Sequence, residues 1–285
     1  MTKHILNIIF ILASFSIKSC AGIKPAPPKN TLPSSADNDS FKLEKIIAGN
    51  FTMMDVDVLN NIYLITTGNQ LKKYNPSGDS MAVFNDVKKY GNPTLMDVSN
   101  PLKVLLYYKN YSTVVMLDRL LSQRNSINFR QQNIFSVKAI ATSYDNNIWL
   151  FDEQDYKLKK IDEEGKLLQE STDWRVLMDA VPSPSVIIDN NNFVYLYDEA
   201  KGFYIFDYYG TYKNNLPFLN WKNIAVAGGR ITGMQTNRLH SYVIESLNDK
   251  MYTLPAFFRN YVSIKAINGK VYVLKEDALE VYSVL

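Results

Sequence analysis

The chain has 285 residues, 46% hydrophobic and 21% charged, the balance of a folded globular protein rather than a disordered one. Its 31 Lys and Arg offset 28 Asp and Glu, and the net charge of +3 lacks the clustered basic excess of a nucleic-acid binder. One Cys excludes an internal disulfide framework and a cysteine-built zinc site, and two His leave no room for chemistry built on several imidazoles.

Residues 1–19 read as a secretory signal peptide. Lys3 supplies the positive start, the stretch from Ile5 to Ala13 is apolar, and small or polar residues follow. The apolar stretch falls short of the roughly 20 residues that a bilayer span takes. The lone Cys20 stands at its end, and Ile17-Lys18-Ser19-Cys20 resembles the lipobox of bacterial lipoproteins, with Lys18 a departure from that pattern. The resemblance implies a diacylated Cys20 as the mature N-terminus, and two acyl chains make membrane attachment stable where one does not. The other reading is a plain signal peptide, or an uncleaved anchor, with an incidental Cys.

Residues 20–41 are expected to form the lipidated Cys and a tether. Pro25, Pro27, Pro28 and Pro33 favour extended geometry, and the Ser, Asp and Asn that follow have no apolar period to bury. No acidic run follows Cys20. In some Gram-negative envelopes such a run resembles a surface-export signal, so the expected address is the periplasmic face of the outer membrane.

Residues 42–285 repeat. Three segments align on Tyr63, Trp149 and Tyr195: Asn60-Asn61-Ile62-Tyr63-Leu64, Asn146-Asn147-Ile148-Trp149-Leu150 and Asn191-Asn192-Phe193-Val194-Tyr195-Leu196. In each, a second alternating strand follows, then an Asn/Asp-x-x-Gly turn ending at Gly78, Gly165 or Gly210. Weaker copies centre on Leu106, Thr232 and Tyr272, so the anchors recur about every 40 residues. Six all-β units of about four strands each predict a six-bladed β-propeller. The last unit, ending at Leu285, is one strand short, and Lys42–Ala48 has no other partner. That N-terminal segment is therefore expected to close the last blade and remove two open edges.

The repeats resemble the NHL-type six-bladed propeller families, including the propeller lipoproteins of bacterial envelopes. Those families often carry Gly where this chain has Asn61, Asn147 and Asn192, and Asn also tolerates left-handed backbone angles. The resemblance implies shape, not activity.

Three functions stay open. Propeller lipoproteins resemble accessory subunits of outer-membrane assembly or secretion machines, which implies a docking scaffold with an envelope protein partner and no cofactor or metal. Tyr208, Tyr209 and Tyr212, at or beyond a hairpin turn, and the adjacent Phe257 and Phe258 are the candidate partner-binding residues. Some six-bladed propellers resemble lactonases, whose channel ion would here draw on Asp55, Asp97, Asp189 or Glu245. His240 reads as a surface residue or a catalytic one with equal ease. The third reading is a receptor for a small ligand or glycan, held by aromatic side chains at one rim. An aliphatic channel with an exposed aromatic rim would favour docking, and converging carboxylates would favour the enzyme.

Overall fold

The computed structural model describes residues 41–258 and 260–284. They form 24 strands in six four-stranded antiparallel sheets. Strand β1 (Phe41–Ala48) comes first. Blade 1 is β2 (Phe51–Val56), β3 (Ile62–Thr66), β4 (Leu71–Tyr74) and β5 (Ser80–Phe84). Blade 2 is β6 (Leu95–Asn100), β7 (Lys103–Tyr108), β8 (Thr113–Asp118) and β9 (Gln123–Asn128). Blade 3 is β10 (Val137–Thr142), β11 (Ile148–Asp152), β12 (Lys157–Ile161) and β13 (Leu167–Glu170). Blade 4 is β14 (Val186–Asn190), β15 (Phe193–Asp198), β16 (Gly202–Asp207) and β17 (Tyr212–Leu216). Blade 5 is β18 (Lys222–Ala227), β19 (Arg230–Gln235), β20 (Arg238–Val243) and β21 (Asn248–Thr253). Blade 6 is β22 (Ser263–Ile267), β23 (Lys270–Leu274) and β24 (Ala278–Val284), with β1 as its outer strand. The first strands of the six blades neighbour one another in a closed ring around a central channel.

In blade 6, β1 pairs antiparallel with β24 from Phe41–Val284 to Ala48–Ala278, with one irregularity between Leu43 and Lys45. Ile47 of β1 is buried with Phe51, Val56 and Leu279, so the strand adds apolar packing as well as a ladder. The expected signal peptide and the expected tether as far as residue 40 lie outside the described residues, and Phe41, expected as the last tether residue, begins β1 instead.

Large side chains fill the seams between blades, and register shows why the repeat is spaced as it is. Tyr63, Leu105, Trp149, Tyr195 and Tyr272 occupy the same position on the second strands of blades 1, 2, 3, 4 and 6. Each is buried against the next blade. In blade 2 the position belongs to Leu105, one residue before the Leu106 expected from sequence. In blade 5 it belongs to Thr232. The third-strand partners are Lys73, Met116, Lys160, Ile205 and Val281, and in blade 5 Ser241. The Lys pair does more than fill space: Lys73 lies over the Tyr63 ring at 5.1 Å and Lys160 over Trp149 at 5.1 Å.

The turns explain the motif. Asp162 Oδ1 accepts from the backbone N–H of Glu164 and Lys166, and Asp207 Oδ1 from Tyr209 and Thr211. Gly78, Gly165 and Gly210 then take positive φ to complete each turn. Blade 2 makes the same turn on Asp118 with Leu121 at φ 59°. Between first and second strands the left-handed residues are Asn60, Asn146, Asn191 and Asn192 in blades 1, 3 and 4, Gly228 and Gly229 in blade 5, and Asn268 and Gly269 in blade 6. In blades 1 and 3 the strain thus falls one residue earlier than the expected Asn61 and Asn147.

Candidate functional site

Every first strand contributes to the channel, a cavity of about 300 Å³. Met53, Leu95, Ile140, Ile187, Ile224 and Ile267, one from each blade, make its wall largely aliphatic. Alternation on first strands sends every second side chain inward, which places Asp55, Asp97, Asp189 and Lys265 in the lining too.

None of these charges is left without a partner. Asp55 accepts from Lys265 Nζ, which joins blades 1 and 6. Asp97 accepts from the backbone N–H of Thr142 at 2.6 Å, across the seam to blade 3, and from the N–H and hydroxyl of Ser99. Asp189 accepts from Trp149 Nε1 at 3.0 Å and from the backbone N–H of Tyr144 at 3.2 Å. Burial pushes both Asp97 and Asp189 above the usual carboxylate range despite these donors. The carboxylates therefore serve as brackets between neighbouring blades. Glu245 stands apart, exposed beyond the end of β20. Among the described residues no three His, Cys, Asp or Glu are grouped to hold a metal ion.

His240 is buried on β20, a correction to its reading as a surface residue. Its Nδ1 meets Asp249 Oδ2 at 2.8 Å, its ring packs on Trp221 at 4.6 Å, and Nε2 has no partner among the described residues.

Strand direction divides the turns between two faces. Turns linking first to second and third to fourth strands share one face, hereafter the turn face. Connections between blades lie at the opposite end. On the turn face, hairpin tips present Val58, Leu59, Leu102, Leu120, Tyr144, Tyr209 and Leu247, all exposed. Tyr209 is 83% exposed and Leu247 73%, far beyond what a packed side chain shows. In the turns of Leu59, Leu102, Leu120 and Tyr209 an Asp or Asn side chain accepts the tip residue's own backbone N–H, which leaves the tip side chain unused.

The aromatic candidates separate on this division. Tyr209 is free. Tyr208 is half-buried, stacked on Tyr144 with ring centroids 4.1 Å apart, and its hydroxyl accepts from the backbone N–H of Asn192 at 3.0 Å. Tyr212 begins β17 and is 38% exposed, its ring edge-on to Phe206. Phe257 and Phe258 lie in the connection between blades 5 and 6, at the opposite end of the strands from the Tyr209 turn. Phe257 is partly exposed. Phe258 is buried among Phe41, Tyr282 and Leu254, so it belongs to the core and not to a partner surface. Cys20 lies outside the described residues.

Sequence reasoning missed Leu102, Leu120 and Leu247, because the search for exposed candidates followed aromatics and a lone Leu in a turn carries no pattern.

No protein-family model matches the chain, and no curated protein matches it. Its backbone is similar to many solved structures. Virginiamycin B lyase from Staphylococcus aureus superposes with a TM-score of 0.57 at 12% identity, over 86% of this chain and 100% of the other. The Pan2 WD40 domain of Neurospora crassa gives 0.60 at 10% identity, over 88% and 98%. PorZ, a surface component of the type-IX secretion system of Porphyromonas gingivalis, gives 0.52 at 11% identity, over 86% of this chain and 39% of PorZ. At these identities the likeness is one of fold, and the fold is a six-bladed β-propeller.

Proposed function

We propose that this chain is a lipid-anchored docking protein of a bacterial envelope, held to the membrane through acylated Cys20 and gripping a protein partner with its turn face. The observation that carries this reading is the contrast between channel and face. The channel is aliphatic and its charges are spent between blades, whereas the turn tips expose Val58, Leu59, Leu102, Tyr144, Tyr209 and Leu247. Exposed apolar side chains on rigid turns are the make-up of a partner surface; the opposite end exposes Tyr111, Phe135, Val176 and Leu177 as well, so the test compares the two ends. A rigid propeller holds such side chains without ordering cost on binding. The backbone likeness to PorZ, a component of a secretion system, agrees with an accessory role in an outer-membrane assembly or secretion complex.

The test is in-cell cross-linking followed by purification of the chain, with quantification of the cross-linked partner. The pair Tyr209→Ser and Leu247→Ser, both on exposed turns, is expected to fold normally and to lose most of the partner. Phe257→Ser, at the other end of the strands, is expected to retain it. Equal recovery with all variants would overturn the assignment of the face. Separately, Cys20→Ser is expected to move the protein from the membrane to the soluble fraction.

A further inference from the structure

We infer that the seam between blades 5 and 6 is a binding groove for a medium-chain aliphatic carboxylate. Five seams are closed by a large pair from the second and third strands. At the same register, blade 5 carries Thr232 opposite Ser241. The space left is a groove of about 260 Å³, a little smaller than the roughly 300 Å³ at which the range of ligand pockets begins.

The groove has a direction. Ala225, Thr232, Ser241 and Lys250 pair in succession across the four strands of blade 5. At about 4.8 Å per strand this row spans roughly 14 Å, from the channel side to the outer edge. Leu239 and Tyr252 flank the row, and Ala266, Ile267, Val284 and Phe41 form the facing wall from blade 6. Such a slot accepts an extended aliphatic chain.

Its charge is one-sided. Arg230, Lys250 and Lys270 line it, and no carboxylate does. Lys270 is engaged by Glu44 at 2.7 Å. Arg230 and Lys250 are exposed and form no ion pair among the described residues, and Arg230 reaches only the Ser241 hydroxyl at 3.5 Å. Thr232 is already occupied, since its hydroxyl donates to the Ala266 carbonyl at 2.8 Å and pins the two blades at this width. An apolar slot with two uncommitted cations calls for a ligand with an apolar body and one anionic head.

Calorimetric titration of the full chain with decanoate, below its micelle-forming concentration, tests the inference. The expected result is saturable one-site binding, at least tenfold weaker for decanol and for the double variant Arg230→Gln/Lys250→Gln. Thr232→Tyr restores the bulky residue of the other seams at the loss of the hydrogen bond to Ala266, and is expected to abolish binding while the chain keeps a cooperative thermal transition. Ser241→Leu fills the same row from the next strand and replaces Thr232→Tyr should that variant not fold. Absence of saturable binding, or unchanged affinity in a folded filled-groove variant, overturns the proposal. So does a dimer that Thr232→Tyr dissolves in the absence of decanoate binding, which would give the groove to a second copy.

Discussion

Trp149 of blade 3 donates its indole N–H to Asp189 of blade 4 at 3.0 Å; the ring is closed in by the seam, whereas the half-buried carboxylate also lines the channel. The ring is fully buried and Lys160 covers one side of it. Trp149→Ala is expected to cost about 3–5 kcal/mol of unfolding free energy, the range for deleting a buried aromatic. Asp189→Ala leaves the indole N–H without its acceptor and is expected to cost about 1–3 kcal/mol. Urea unfolding of the single variants and of the pair measures both. A coupling energy near zero in that cycle would mean the hydrogen bond contributes nothing of its own.

Asp97 predicts a pH dependence. Burial raises its pKa in the folded protein, so the folded state binds the proton more readily than the unfolded chain does. Stability withheld by the buried charge at neutral pH is therefore regained as pH falls through the folded pKa. Asp97→Asn cannot titrate. The difference in unfolding free energy, parent minus variant, is expected to grow in favour of the parent as pH is lowered from neutrality toward the ordinary carboxylate range. Chemical denaturation at several pH values measures it, and a flat difference would contradict the assignment.

Closure by β1 has a direct consequence for truncation. Removing the chain through Ala48 uncovers the edge of β24 and takes Phe41 and Ile47 out of two apolar clusters. The truncated chain is expected to lose its single cooperative thermal transition and to self-associate. Circular dichroism and sedimentation test this, and a melt equal to that of the intact chain would place the closing contact elsewhere.

Two glycines with positive φ should respond differently to Ala. At Gly202 an added Cβ would stand 2.3 Å from the Leu216 carbonyl oxygen and 2.9 Å from the Phe218 nitrogen, both backbone atoms that cannot step aside. At Gly228 nothing lies within 4 Å, and only the left-handed backbone is strained. Gly228→Ala is expected to cost about 1–2 kcal/mol. Gly202→Ala, which adds a backbone clash to the same strain, is expected to cost clearly more. Thermal unfolding ranks the two.

Much of the architecture is legible because register and burial demand it. Tyr63, Trp149, Tyr195 and Tyr272 must be large to fill their seams, and their spacing is therefore visible along the chain. Blade 2 is harder to see, since Leu121 takes the left-handed turn position that Gly holds in blades 1, 3 and 4 and hides the Asp-x-x-Gly motif. Blade 5 is harder still, because Thr232 and Ser241 leave its seam unfilled. At the candidate site, Tyr209 is legible from its place beyond a strand end. Phe258 is not, since a single 3-10 turn folds it into the core while its neighbour Phe257 stays partly outside, and no two-residue periodicity reports that.

The ladder between β1 and β24 also dictates an order of events during synthesis. Phe41 leaves the ribosome early and its partner Val284 some 240 residues later, so the first strand made waits longest for its mate. Blades 1 to 5 each draw their four strands from one continuous stretch and can form as the polypeptide lengthens. Blade 6 cannot. Until β24 has emerged, the disc keeps one wedge open and β1 is without its ladder partner, an exposed strand in need of shielding.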